Sequence, residues 1–245
     1  MSYSLLISDL HLDPARPGHL HALEALLQRH AGQAERLYVL GDLFEAWIGD
    51  DDDGDFNRRV ITAFRAFSDA GGELFFMHGN RDFLLGEHFA AACGGTLLDE
   101  GTVVDLHGTP ALLMHGDSLC THDTAYQQFR TMVRHPQWQQ MMLAKPLAER
   151  RALAEGMRAQ SQDNNANKAD NIMDVTPEEV IRVMDAAGVR HLIHGHTHRP
   201  AVHDIALAHG QGKRWVLGDW GDKGWWIVAD EEKGLRLESE DIKGS

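Results

Sequence analysis

Residues 3–8 form a short apolar run of strand length, after which Leu20, Leu23, Leu26 and Leu27 recur at helical spacing. Residues 37–40 form a second run, ending at Gly41-Asp42. Phe56, Val60, Phe64 and Phe67 return to helical spacing, and residues 73–77 form a third run that ends at His78-Gly79-Asn80. This alternation predicts right-handed crossovers and a largely parallel start to a sheet, since parallel neighbours need a crossover to join them. The pattern then changes. Residues 103–106 and 110–114 flank His107-Gly108-Thr109 and predict a hairpin. Residues 121–187 contain no strand pattern. Residues 161–170 are polar and read as a loop or helix boundary. Thr176-Pro177-Glu178-Glu179 predicts a helix start, with Thr176 as N-cap, Pro177 in the first helical position and Glu179 completing a capping box. Runs at 191–193, 202–207, 214–217 and 225–228 predict further strands, while the polar last ~10 residues are expected to fray. The fold class is α/β, a mixed sandwich of strands and helices. Residues 1–240 form a single domain, with 121–175 as a helical insertion.

Composition narrows the function classes. Of 245 residues, 43% are hydrophobic and 24% charged, which excludes wholesale disorder. The net charge of −14 argues against nucleic acid as a partner, which calls for a basic footprint. Cys93 and Cys120 form no disulfide framework and suit a reducing, cytoplasmic setting as buried thiols. Residues 5–7 are too short for a signal-peptide core, and no apolar run approaches the ~20 residues of a spanning helix. The expectation is a soluble chain, or at most one resting on a membrane surface.

The sixteen histidines direct attention to chemistry. Five polar clusters each follow or close an apolar run: Asp9-Leu10-His11, Gly41-Asp42, Gly79-Asn80-Arg81-Asp82, His115-Gly116-Asp117 and Gly195-His196-Thr197-His198. Carboxyl ends of strands are where α/β folds build sites, so segments far apart in sequence can converge there. Asp9, His11, Asp42, Asn80, His115, His196 and His198 supply three oxygen donors and four imidazoles. That mixture favours Mn, Fe or Zn over Ca or Mg, and a shared carboxylate, for which Asp42 is the candidate, can bridge two ions. The His-x-His pair serves two neighbouring ions either from one side of an extended segment or fanned apart in a turn.

These motifs resemble the calcineurin-like metallophosphoesterases. The resemblance implies an αββα sandwich and a dinuclear centre, with Asp9, His11, Asp42 and His198 around one ion and Asp42, Asn80, His115 and His196 around the other. Longer blocks at residues 41–50, 78–86, 114–122 and 194–203 are similar to the branch of this family that hydrolyses UDP-2,3-diacylglucosamine in lipid A biosynthesis. The resemblance then implies cleavage to UMP and 2,3-diacylglucosamine 1-phosphate, usually with manganese, by attack of a metal-bridging hydroxide on the α phosphorus. It carries substrate contacts onto Asn80, Arg81, Asp123, Ser161, Asn165, Lys168 and His196. Arg81 and His196 are assigned the catalytic part.

Arg81 stands where many family members have a proton-donating histidine. Arginine cannot donate a proton at neutral pH but can neutralise charge. A phosphate monoester, with a second pKa of ~6, is a leaving group that needs the latter more than the former. A purely structural pairing of Arg81 with Asp82 is the alternative. Trp138, Met141, Met142, Leu143, Leu147 and Leu153, ringed by Lys145, Arg150, Arg151 and Arg158, form a candidate lipid cap. The expected location is the cytoplasmic face of the inner membrane, where the cap would dock to anionic lipid. Rival readings are a phosphodiesterase for a soluble nucleotide and a non-enzymatic scaffold of the same fold.

Overall fold

In the computed structural model, which describes residues 2–166 and 174–242, strand alternation sorts side chains between separate cores. One sheet has the order β11-β10-β1-β2-β3-β4, comprising β1 (Tyr3–Ile7), β2 (Ala34–Leu40), β3 (Glu73–Met77), β4 (Thr96–Leu97), β10 (Lys223–Asp230) and β11 (Gly234–Asp241). The other has the order β5-β6-β7-β9-β8, comprising β5 (Thr102–Leu106), β6 (Thr109–Leu113), β7 (His191–His194), β8 (Ala201–Leu207) and β9 (Gly210–Val216). On β1, Leu5 and Ile7 enter a core beneath α1 (Pro17–His30), α2 (Asp55–Asp69) and α3 (Glu87–Cys93). Leu6, between them, enters a second core with Leu113, Ile193 and Trp215, which packs sheet against sheet. On the far side Leu112 and Leu192 meet Val180 and Met184 of α7 (Pro177–Ala187). The period of 2 along each strand therefore produces the αββα layering.

The predicted parallel start is present, with β1–β2 and β2–β3 both parallel, and so is the β5–β6 hairpin. Its turn residues His107 and Gly108 both have positive φ, 54° and 87°, the geometry that suits a two-residue hairpin. Other expectations are corrected. The polar C-terminal segment is not frayed through most of its length: β11 pairs antiparallel with β10 from Gly234 to Asp241. A polar edge strand carries little hydrophobic signal, and its ladder partner supplies the order. The two-residue β4 was likewise unanticipated, and β9 begins at Gly210 rather than near Arg214. Thr176 does precede α7, but its side chain makes no cap bond. Its hydroxyl instead accepts from Thr121 at 2.7 Å, and Glu179 pairs with Arg182, so no capping box forms.

Between the 3₁₀ turn at Asp117–Leu119 and α7 lie α4 (Thr124–Val133), α5 (Pro136–Leu143) and α6 (Leu147–Ala166). The polar stretch from Ser161 therefore continues α6 to Ala166. Met142 is buried in the helix-side core, with Trp138 packed against it, while Met132, Met141, Leu143 and Leu153 are exposed. Arg150 does not belong to a basic rim. It is 2% exposed, donates to the Ile48 and Lys145 carbonyls at 2.7 and 2.9 Å, and pairs with Asp51. Lys145, Arg151 and Arg158 are paired with Glu149, Asp52 and Glu45. The acid-rich loop after residue 49 consumes charges that composition alone left facing solvent.

Candidate metal centre

Asp9 and His11 follow β1, Asp42 follows β2, Asn80 follows β3, His115 follows β6, and His196 and His198 follow β7. All seven converge. His11 Nε2 lies 3.2 Å from His198 Nε2, and His198 Nε2 lies 3.4 Å from Asp9 Oδ1. Asn80 Oδ1 is 2.9 Å from His115 Nε2 and 2.8 Å from His196 Nδ1. Asp42 stands between these groups, with Oδ2 3.9 Å from His11 Nε2 and Oδ1 3.8 Å from His115 Nε2. Asp9, His11 and His198 form one set of mutually close donors, and Asp9, Asp42 and His115 another. Asp9 thus takes part in both sets, a sharing that the sequence reading assigned to Asp42 alone.

The backbone explains how strand ends deliver these atoms. Asp9, His11, Asp42, His196 and His198 all have φ between 47° and 65°, a left-handed conformation costing ~1–2 kcal/mol for a residue with a Cβ. Cross-links hold it in place: the Asp9 and His11 amides donate to the Gly41 and Asp42 carbonyls at 3.1 and 3.0 Å, and the Trp220 amide donates to the Asp9 carbonyl at 2.9 Å. The His-x-His pair is therefore fanned in a turn, with His196 toward Asn80 and His198 toward Asp9. Gly79 is required by close approach, because a Cβ there would lie 2.1 Å from Asp42 Oδ1.

Burial and charge show what the donors fit. Asp9, Asp42 and His115 are at most 1% exposed. Among the described residues, the two carboxylates meet imidazoles, backbone amides and the Ser8 hydroxyl rather than lysine or arginine. Burial pushes the Asp42 carboxyl above its ordinary value. Burial also lowers His196 to about 4, with His115 adding to the effect, so its ring stays neutral. Burial alone would lower His115, but Asp42, Asp117 and Asp9 raise it to about 9. Two imidazole nitrogens 3.2 Å apart need a shared proton or a shared cation between them. Buried oxygen and nitrogen donors with no thiolate among them fit divalent transition ions.

Arg81 does not pair with Asp82. Asp82 is buried and accepts from the Asp42, Leu43 and Gly79 amides at 3.3, 2.8 and 2.7 Å. Arg81 donates its backbone N–H to Asp42 Oδ1 at 2.8 Å, and its guanidinium lies 3.9 Å from Glu45. Its Nε is buried and donates to no partner among the described residues. Asp123 is the N-cap of α4 and accepts from the Tyr126 amide at 3.1 Å. Ser161 and Asn165 fall on α6, but their side chains, and all of Lys168, lie outside the described residues.

Several neighbours of the site were not anticipated. Tyr126 stacks on His196, with ring centroids 6.1 Å apart, and donates its hydroxyl to Asp117. Asp117 is fully buried and also accepts from Arg130 Nε at 2.9 Å. Only Asp117 carried a signal, by its place directly after His115-Gly116. Glu45 sits between His11, Arg16, Arg81 and Arg158. Burial would raise its carboxyl, but the contact with His11, followed by the charges of Arg81 and Arg158, outweighs burial and brings it down to about 2.

With this geometry in view, the chain was compared with known proteins. The family model for calcineurin-like phosphoesterases matches residues 4–200. A UDP-2,3-diacylglucosamine hydrolase of Cellvibrio japonicus is 53% identical over 239 residues, 98% of this chain and 99% of that protein. Proteins of the same name from Chromohalobacter salexigens and Marinobacter nauticus are 54% and 50% identical, each alignment covering 96% of both chains. Among solved structures, a cold-active protein-tyrosine phosphatase of a Shewanella species aligns over 98% of this chain and 80% of its own at a TM-score of 0.46 and 14% identity, too distant to carry an argument. The family match over most of the chain, together with these near full-length relatives, places the protein: it belongs to the calcineurin-like phosphoesterases.

Proposed function

We propose that this chain hydrolyses the pyrophosphate bond of UDP-2,3-diacylglucosamine, releasing UMP and 2,3-diacylglucosamine 1-phosphate. The observation that carries the reading is about 50% identity, over nearly the whole chain, to hydrolases named for that substrate, in a protein whose seven donors all converge. Asp9, His11, Asp42 and His198 would hold one divalent ion, and Asp42, Asn80, His115 and His196 the other, with manganese the expected metal. Bound there, the ions would supply an acidified water and a positive clamp on the phosphoryl oxygens.

The chain's own residues do the rest. Arg81, held at the end of β3 by its backbone bond to Asp42, keeps its guanidinium uncommitted to Asp82 and 3.9 Å from Glu45. It neutralises the phosphate monoester as that group departs and moves no proton. His196, neutral and stacked on Tyr126, adds a fixed dipole beside the reacting phosphorus. Asn80, Asp123, Ser161, Asn165 and Lys168 are assigned to substrate contacts.

Residues 121–175 are assigned the part of a helical insertion capping the acyl chains within a single domain spanning 1–240. Exposed Met132, Met141, Leu143 and Leu153 favour contact with the cytoplasmic face of the inner membrane, while the paired Arg150 and Arg151 do not contribute free charge to it. No described helix is long and apolar enough to cross a membrane. The experiment is a manganese-supplemented substrate panel: UDP-diacylglucosamine, deacylated UDP-glucosamine, a dinucleoside tetraphosphate and an aryl phosphate. The diacylated nucleotide should be strongly preferred. Equal turnover of a soluble nucleotide would reassign the chain within its family.

A further inference from the structure

The two oxygens of Glu45 are divided between groups with different tasks. Oε2 lies 3.3 Å from His11 Nδ1, the ring nitrogen opposite the one that faces the donor cluster, and 3.1 Å from Arg16 Nη2. Oε1 lies 3.0 Å from Arg158 Nη2 and 3.9 Å from Arg81 Nη1. The side chain is only 13% exposed, so neither set of contacts is fully screened by water. The position is fixed from behind as well. The Glu45 amide donates to the Leu12 carbonyl at 3.1 Å, and Arg16 reaches the His11 carbonyl at 2.7 Å.

A carboxylate at the rear nitrogen of a ligating histidine fixes the ring's orientation and tautomer and raises the basicity of the other nitrogen. Here Oε2 stands 3.3 Å from Nδ1, close enough for an ion pair but out of line for a formed hydrogen bond. A small rotation of the ring would let Nδ1 donate to it and leave Nε2 facing Asp9, Asp42 and His198. The same carboxylate ties Arg158, which comes from α6, and Arg81, which follows β3, to one anchor. Both arginines have a buried Nε that donates to no partner among the described residues. Without Glu45, Arg81 would lose the carboxylate beside its guanidinium, and Arg158 would keep only Asp13, at 3.9 Å.

We propose that Glu45 is a positioning residue that couples metal retention, through His11, to recognition of the anionic substrate, through Arg81 and Arg158. The metal half stands on the donor cluster alone, and the substrate half rests on the functional reading above. Glu45→Gln keeps the shape and removes the charge. Protein stripped with a chelator is titrated with Mn²⁺ against a chromophoric competitor. The variant should bind the ion roughly 10–100-fold more weakly than wild type. Glu24→Gln, which removes an exposed partner of Arg59, should bind it as wild type does. At saturating Mn²⁺, Glu45→Gln should raise KM for UDP-diacylglucosamine several-fold, with a smaller fall in kcat. Arg158→Gln should raise KM with metal affinity unchanged, and the double variant should raise it little further. Unchanged metal affinity in Glu45→Gln, even with a lowered Tm, overturns the coupling. Independent, multiplying effects on KM overturn the shared anchor. Should the wild type fail to cleave the lipid nucleotide, the functional reading falls, and the titration still decides the role of Glu45 at His11.

Discussion

Five donors hold left-handed backbone against their own side-chain sterics, and the fold tolerates this because Asp9, His11 and Asp42 are cross-linked between strand ends and the His196 amide is held by the Asp9 carboxylate. Such strain leaves no room for added bulk. Gly79→Ala places a methyl group 2.1 Å from Asp42 Oδ1, so elemental analysis of the purified variant should find bound metal largely lost. Arg81 works differently, since its side chain leans on Glu45 and its backbone alone touches Asp42. Arg81→Lys should keep the metal and lose more than tenfold in kcat, because an ammonium cannot reproduce the planar, forked charge of the guanidinium. Equal losses of metal and activity would make the arginine a structural residue. Of the site's residues, the seven donors were legible because each ends an apolar run. Glu45 and Tyr126 were not, since what makes them matter is which distant side chains they meet.

Single elements depend on partners far along the chain. The N-terminus of α3 begins at Gly86, which brings no capping side chain of its own. Asp50, 36 positions earlier, accepts from the Gly86 amide at 2.9 Å, and it also takes the Phe89 amide at 2.9 Å and the Trp47 indole at 3.0 Å. Asp50→Ala leaves these donors without a partner and should cost ~1–3 kcal/mol, seen as a fall of several degrees in Tm with the pattern of bound metal unchanged. Helix α4 is tied down similarly through Tyr126 and Arg130 to the buried Asp117. Helices α1 and α2 were legible from apolar spacing, and the start of α7 from Thr176-Pro177. The strand β11 was not, because an edge strand with a polar outer row looks like a tail until its ladder with β10 is seen.

At the scale of the whole molecule, an acidic protein is expected to meet a lipid substrate, so apolar contact must do what charge cannot. Met141 and Leu153 are 59% and 40% exposed on α5 and α6. Replacing both with aspartate should reduce co-sedimentation with vesicles containing anionic lipid, while turnover of detergent-dispersed substrate persists. Unchanged sedimentation would count against a membrane-facing role for this surface. Exhaustive chelation should abolish hydrolysis and a divalent transition ion restore it, measured as phosphate ester released over time. Activity that survives chelation would contradict the reading of the donor cluster.

Periodicity settles local matters, so the sequence by itself determined the parallel opening of the first sheet, the hairpin, the layered class and the seven donors at strand ends. Which donors meet is a matter of closure over long loops. His11 and His198 touch across 187 positions, and Arg150 turns inward to Asp51 across 99. Local pattern carries no record of such pairings, because a charged residue in sequence looks the same whether water or a carboxylate will neutralise it. Only the tertiary structure decided that the basic residues Lys145, Arg150, Arg151 and Arg158 are paired off, that the His-x-His segment is a turn, and that one glutamate stands behind both a candidate ligand and two arginines.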